Sequence, residues 1–128
     1  MSNKNLEQEQ TYVRLVNKSE DYIEQHLNEP ISLKELANNV NFSEYHFHRI
    51  FTKYSNETLK HFITRFKLER AAIFMSVNQS STLTTIALNY GYNSSSSFSR
   101  AFKHHFGASP SIYRKEQEMA RNIKINMT

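Results

Sequence analysis

Residues 32–51 read Ser32-Leu33-Lys34-Glu35-Leu36-Ala37-Asn38-Asn39-Val40-Asn41-Phe42-Ser43-Glu44-Tyr45-His46-Phe47-His48-Arg49-Ile50-Phe51, and their spacing describes two short helices either side of a tight turn. Ser32 and Glu35 have the capping-box form: the Ser side chain can accept from the backbone N–H three residues on, and Glu35 can reach back. A short helix follows through Leu36, Ala37 and Val40. Asn41 suits a sharp turn because Asn tolerates left-handed backbone better than most side chains. Ser43 caps a second helix, which turns Phe47, Ile50, Phe51 and Tyr54 to one side.

Fifty residues on, the pattern returns. Leu33…Leu36-Ala37…Asn41-Phe42 corresponds to Leu83…Ile86-Ala87…Gly91-Tyr92. With one extra residue in the second turn, Phe47-His48-Arg49-Ile50-Phe51 corresponds to Phe98-Ser99-Arg100-Ala101-Phe102. The small Ala lets two helices approach closely, and Asn or Gly permits the sharp turn of a helix-turn-helix. An ordinary helical hairpin repeat would show the same apolar spacing, but it does not explain an Arg at the same exposed place twice.

Outward from this repeat, the remaining segments also read as helices. Tyr12, Leu15, Val16, Ser19, Tyr22, Ile23 and Leu27 form one amphipathic stripe, ended by Asn28-Glu29-Pro30 because Pro disfavours helix in the residue before it. A long helix runs from about Thr58 to Ser76, and Asn78–Ser81 is a polar loop. Gly91 closes the next short helix, and Asn93 is expected to cap the one after it, with Phe98, Ala101, Phe102 and Phe106 inward. Gly107 ends that helix, and Ser109-Pro110 opens the last with a cap and a Pro at the first helical position. The chain thus divides into an N-terminal tail (1–11), a first subdomain (12–57), a linker helix (58–77), a second subdomain (78–116) and a polar C-terminal tail (117–128).

Composition agrees with an all-α class. With 2 Gly and 2 Pro in 128 residues, the chain lacks the turn formers of a β-sandwich. The absence of Cys excludes disulfides and thiolate metal sites. No secretory signal is read at the polar start, and no apolar run is long enough to span a membrane. The net charge of +4 is unevenly spread: residues 1–44 carry four basic and eight acidic side chains, residues 45–115 ten and two. A basic block of this kind attracts a polyanion, most commonly nucleic acid. An anionic membrane surface would favour one basic amphipathic helix, whereas here the charge spreads over several elements.

At these residues the chain resembles the AraC-type (arabinose-regulator-like, AraC/XylS) transcription factors. The matching stretches are Leu33–Ala37, Tyr45–Phe51, Leu68-Glu69-Arg70-Ala71, Ile86-Ala87…Gly91-Tyr92, Phe98–Lys103, Phe106–Pro110 and Tyr113-Arg114, covering roughly residues 12 to 116. The resemblance implies seven helices, two helix-turn-helix subdomains joined by a rigid linker helix, and binding to promoter DNA as a bacterial transcription regulator. A linker of nineteen or so residues spans roughly 28 Å, against about 34 Å between successive major-groove faces. Two recognition helices on such a rod can enter successive grooves. A monomer could then read an asymmetric site. The expected partners are double-stranded promoter DNA and RNA polymerase, in the bacterial cytoplasm and at the nucleoid when bound, with no membrane and no cofactor.

In the first recognition helix Tyr45, His48, Arg49 and Thr52 fall opposite the apolar side, and by resemblance three of them match base-contacting positions. Arg49 can donate a bidentate pair to guanine O6 and N7. Family members often carry Trp and Gln at the Tyr45 and His48 positions, so a different base preference is expected. In the second, Ser96, Ser97, Arg100 and Lys103 are expected outward. Serines read bases ambiguously, so this helix is expected to bind backbone and shape, with Arg100 as its base reader; a Ser-rich helix start with no readout is the other interpretation. Ser43, Thr52, Lys53, Ser95, Lys103 and His104 are the candidate phosphate contacts, with Lys67 and Lys115 beyond them. Lys60, Arg65 and Arg70 lie on the linker helix, where an internal ion pair is expected for Arg70.

Six His invite a metal or catalytic reading. His46 and His48 are about 200° apart around a helix and cannot share a metal from one face, and His104-His105 diverge similarly. His26 and His61 show no evident carboxylate or His partner at helical spacing. Neither a Gly-rich phosphate loop nor a nucleophile elbow is present, so no enzyme activity is expected. The wording His-Phe-His-Arg-Ile-Phe and its N-terminal placement resemble regulators whose effector domain follows the DNA-binding part. Asn122-Ile123-Lys124-Ile125-Asn126 alternates like the start of a strand, so a further domain is expected after it. A stand-alone regulator controlled by its abundance and a subunit controlled by a partner are the alternatives.

Overall fold

The computed structural model describes residues 2–127, with side chains described for residues 3–124. Seven helices and no strand make up the regular structure of the described residues: α1 Ser2–Glu24, α2 Leu33–Asn39, α3 Glu44–Tyr54, α4 Leu59–Val77, α5 Leu83–Asn89, α6 Ser95–Phe106 and α7 Pro110–Met127. They form two compact units that divide inside α4, between Lys67 and Leu68.

In the first unit, α1, α2, α3 and the first half of α4 enclose Leu15, Ile23, Leu36, Ala37, Phe47, Ile50, Phe51, Phe62 and Phe66. Phe51 meets Phe62 edge-on at 5.6 Å and Tyr12 at 6.3 Å. Burying each such side chain stabilises the unit by about 1.5–3 kcal/mol. Polar ties fix how the helices meet. The Tyr22 hydroxyl donates to Glu35 Oε2 at 2.8 Å, while Glu35 Oε1 accepts from the Ser32 backbone N–H at 3.2 Å in the expected capping box. The Tyr22 and Ser32 hydrogen bonds hold the Glu35 carboxyl below its usual pKa.

In the second unit, the rest of α4 packs with α5, α6 and α7 around Leu68, Ala71, Ala72, Met75, Ile86, Ala87, Tyr90, Phe98 and Phe102. Tyr113 of α7 closes on Phe102 at 5.4 Å. Arg114 Nη1 donates to the Ser81 carbonyl at 2.9 Å and Arg121 Nη2 to that of Ser76 at 2.6 Å, so α7 satisfies backbone acceptors around the α4–α5 loop.

The two helix-turn-helix turns have the same backbone solution. After α2 the Phe42 N–H donates to the Ala37 carbonyl at 2.9 Å and the Asn41 N–H to that of Asn38 at 3.1 Å. After α5 the Tyr92 N–H donates to Ala87 at 2.8 Å and the Gly91 N–H to Leu88 at 3.3 Å. Each is the Schellman pairing, which needs a left-handed residue just past the helix. Asn41 (φ 60°) and Gly91 (φ 89°) supply it, as expected from their types.

Several sequence expectations are corrected. Ser94, not Asn93, caps α6: its backbone is extended and its side chain accepts from the Ser97 N–H, so Asn93 is the extra turn residue. The segment 122–126 is helical, not the start of a strand, because α7 continues to Met127 and its hydrogen-bonded ladder overrides a short alternation. The stretches read as tails are likewise helical as far as they are described, since α1 starts at Ser2 and places Gln8 and Tyr12 against α3. The α1 ladder ends at Glu24, short of Pro30, with His26 Nδ1 at 2.7 Å from the Tyr22 carbonyl in the closing turn.

Candidate nucleic-acid interface

In α3 the buried residues Phe47, Ile50 and Phe51 leave the opposite face to Tyr45, His48, Arg49 and Thr52, all four exposed. Tyr45 is 78% exposed, an aromatic ring left in water with no core to fill. Ser43 accepts from the His46 N–H at 3.0 Å, so its own hydroxyl proton remains available to an anion. The Thr52 hydroxyl instead donates to the His48 carbonyl at 2.7 Å. Lys53 is exposed in the last turn and donates to Gln8 Oε1 of α1. His46 is half-buried and packs edge-on against Phe42 at 4.4 Å.

In α6, Phe98 and Phe102 take the places of Phe47 and Phe51, which puts Ser96, Ser99, Arg100 and Lys103 where α3 has Tyr45, His48, Arg49 and Thr52. Ser96, Arg100, Lys103 and His104 are exposed, and Ser95 and Ser99 are half-buried. Ser97 is half-buried as well. Its hydroxyl donates to the Ser94 carbonyl at 3.1 Å and lies 3.1 Å from Ser94 Oγ, completing the cap. Ser99 stands at the His48 position of α3 and was not among the expected site residues. The signal for it is already in the sequence, since aligning the two Phe-x-Arg-x-Phe stretches sets Ser99 beside His48.

Other basic side chains have internal work. Lys67 Nζ donates to the Glu29 carbonyl at 2.7 Å, and burial lowers its pKa. Arg65 Nη2 lies 2.6 Å from Glu57 Oε1, and His61 meets Glu57 Oε2 four residues away, a helical-spacing partner that the sequence reading overlooked because Glu57 precedes the helix. The Arg65 hydrogen bond, then His61, holds the Glu57 carboxyl below its ordinary range against a partial desolvation penalty. His26 stacks on Tyr22 at 4.1 Å. Among the described residues no group of three His, Asp or Glu is placed to hold a metal, and no helix is long and apolar enough to cross a membrane. Lys60 and Lys115 are exposed and Arg70 is half-buried.

A family model described as a helix-turn-helix domain matches residues 36–116. An uncharacterized HTH-type transcriptional regulator of Staphylococcus aureus (strain MSSA476) is 37% identical over 102 residues, 80% of this chain and 14% of that protein. The chain thus spans about one-seventh of the length of the curated relatives it first matches. The transposon Tn10 TetD protein of Escherichia coli is 33% identical over 96 residues, covering 75% of this chain and 69% of that protein. Among solved structures, a probable AraC family transcriptional regulator from Rhodopseudomonas palustris CGA009 superposes with a TM-score of 0.65 at 25% identity, over 81% of this chain and 97% of the other. The DNA-binding domain of AdpA, a global transcriptional factor solved in complex with a target DNA, shares the fold with a TM-score of 0.70 at 19% identity, over 84% and 96%. With the duplicated turn, the duplicated Arg face and these matches, the chain belongs to the AraC-type helix-turn-helix family of DNA-binding transcriptional regulators.

Proposed function

We propose that this domain binds double-stranded promoter DNA sequence-specifically and regulates transcription, α3 and α6 each entering one of two successive major grooves. One observation carries the reading: two helix-turn-helix units of the same internal construction each present an exposed Arg, Arg49 and Arg100, at the same place on the second helix. The buried residues account for the fold, and only an external partner accounts for the repeated cation. The AdpA domain of the same fold, solved with target DNA, supports this partner.

Arg49 reads guanine, with His48 and Tyr45 on neighbouring base edges, and Arg100 reads with Ser96 and Ser99 beside it. Ser97 serves the cap rather than a base. Ser43, Lys53, Ser95, Lys103 and His104 contact phosphates, and Thr52 contributes once its hydroxyl leaves the helix backbone. The domain acts as a monomer in the bacterial cytoplasm, at the nucleoid when bound, touches RNA polymerase at its promoters and carries no enzymatic activity. Selection from a random double-stranded DNA pool tests this. The expected result is an asymmetric site of about twenty base pairs, whose binding weakens steeply with salt as counterions are released. No enrichment, and no binding to any fragment at low salt, would overturn it in favour of a module that only binds proteins.

A further inference from the structure

The N-terminal turns of α1 reach the end of the recognition helix. Gln8 Oε1 accepts from Lys53 Nζ and lies 3.4 Å from the Tyr54 hydroxyl, which donates to it. Beneath this contact Tyr12 lies against Tyr54 at 5.5 Å and against Phe51 at 6.3 Å, so the start of α1 is packed onto the last turn of α3. The Lys53 ammonium also sits 5.2 Å from the centre of the Tyr54 ring. Lys53 follows Arg49 by four residues, one turn further along the same edge of α3.

The chemistry of the acceptor matters. Residues 7–9 read Glu7-Gln8-Glu9. Successive helical residues point about 100° apart, so the two carboxylates are carried to either side and the neutral amide faces Lys53. A carboxylate at that place would cancel the ammonium charge. An amide fixes the flexible lysine stem and leaves the charge whole.

We infer that Gln8 is a positioning residue for DNA binding: it holds Lys53 beside Arg49 as an ordered, uncancelled cation for a backbone phosphate. This rests on the DNA-binding reading above. It also gives the N-terminal turns of α1, which lie outside the helix-turn-helix itself, a role in affinity.

The test uses the full chain and the site recovered by selection, with affinity measured across a salt series. Gln8→Glu pairs Lys53 with a carboxylate and should weaken binding on the order of three- to tenfold, lowering the slope of log K against log salt by about one. Gln8→Ala should weaken binding by less and leave the slope unchanged, because the charge remains. In a Lys53→Ala background, Gln8→Glu should lose most of its effect. Circular dichroism and thermal unfolding of each variant separate loss of fold from loss of contact. If Gln8→Glu keeps the parent affinity and slope, or acts equally with and without Lys53, the inference is overturned while the DNA-binding reading stands. If the parent chain binds no DNA at all, that reading has failed first.

Discussion

The α2–α3 and α5–α6 pairs are the same object inside and different objects outside. Both have an N-cap hydroxyl before each helix (Ser32 and Ser43, Thr82 and Ser94), both close the turn on an Ala carbonyl, and both bury two Phe four residues apart. On the exposed face one carries Tyr45, His48 and Arg49, the other Ser96, Ser99 and Arg100. The scaffold repeats because packing tolerates little change, whereas the exposed face is free to diverge. On the DNA-binding reading proposed above, the difference furnishes the first unit to discriminate and the second to anchor.

The inside half of this comparison is tested by Phe47→Ala and Phe98→Ala. Both rings are fully buried, so each variant should lose about 3–5 kcal/mol of stability, measured by denaturant unfolding followed at probes in each unit. A much smaller loss at Phe98 would show that the second unit is less tightly packed than its geometry indicates. The outside half is tested next. Arg49→Ala and Arg100→Ala should each cost about 1–3 kcal/mol and relax preference at one base pair, whereas Lys103→Ala should weaken all sequences evenly and lower the salt slope by about one. Equal loss of specificity from scrambling either half-site would break the asymmetry.

Caps offer a finer comparison. Ser43→Ala and Ser94→Ala should each cost about 1 kcal/mol in thermal unfolding. Ser97→Ala should perturb stability more than base preference, because its hydroxyl is tied to Ser94. Smallest is the acid response of the first unit. Glu57 and Glu35 have pKa values lowered in the fold, so their contribution is present above the unfolded-state value and is lost as pH falls through the lowered one. Glu57→Gln should flatten that part of the stability–pH curve, and an unchanged curve would mean that the Arg65 pairing adds nothing.

The helices, the repeat and the Arg49 face were legible because they depend on periodicity and on single residue types at fixed offsets. Asn41 and Gly91 announce left-handed turns by type, and the Phe pairs announce the buried sides. What was misread depends on choices between near-equal local options. Asn93 and Ser94 can both cap α6 in isolation, and the extended backbone at Ser94, whose hydroxyl accepts from the Ser97 N–H, decided between them.

By itself the sequence determined the all-helical class, the duplicated turn and the side of each recognition helix that stays in solvent, since these follow from 3.6-residue periodicity and from backbone sterics within a few residues. Only the tertiary structure decided which charged groups are committed elsewhere. Lys67 is drawn to a loop carbonyl 38 residues away and Arg65 to Glu57, while Lys53 meets Gln8 across 45 residues. The Lys67 and Lys53 pairings are set by how helices pack, which no local pattern encodes. Lys67 and Arg65 are thereby engaged within the fold, Lys53 is held by an uncharged amide, and Arg49 and Arg100 stand on the two exposed faces.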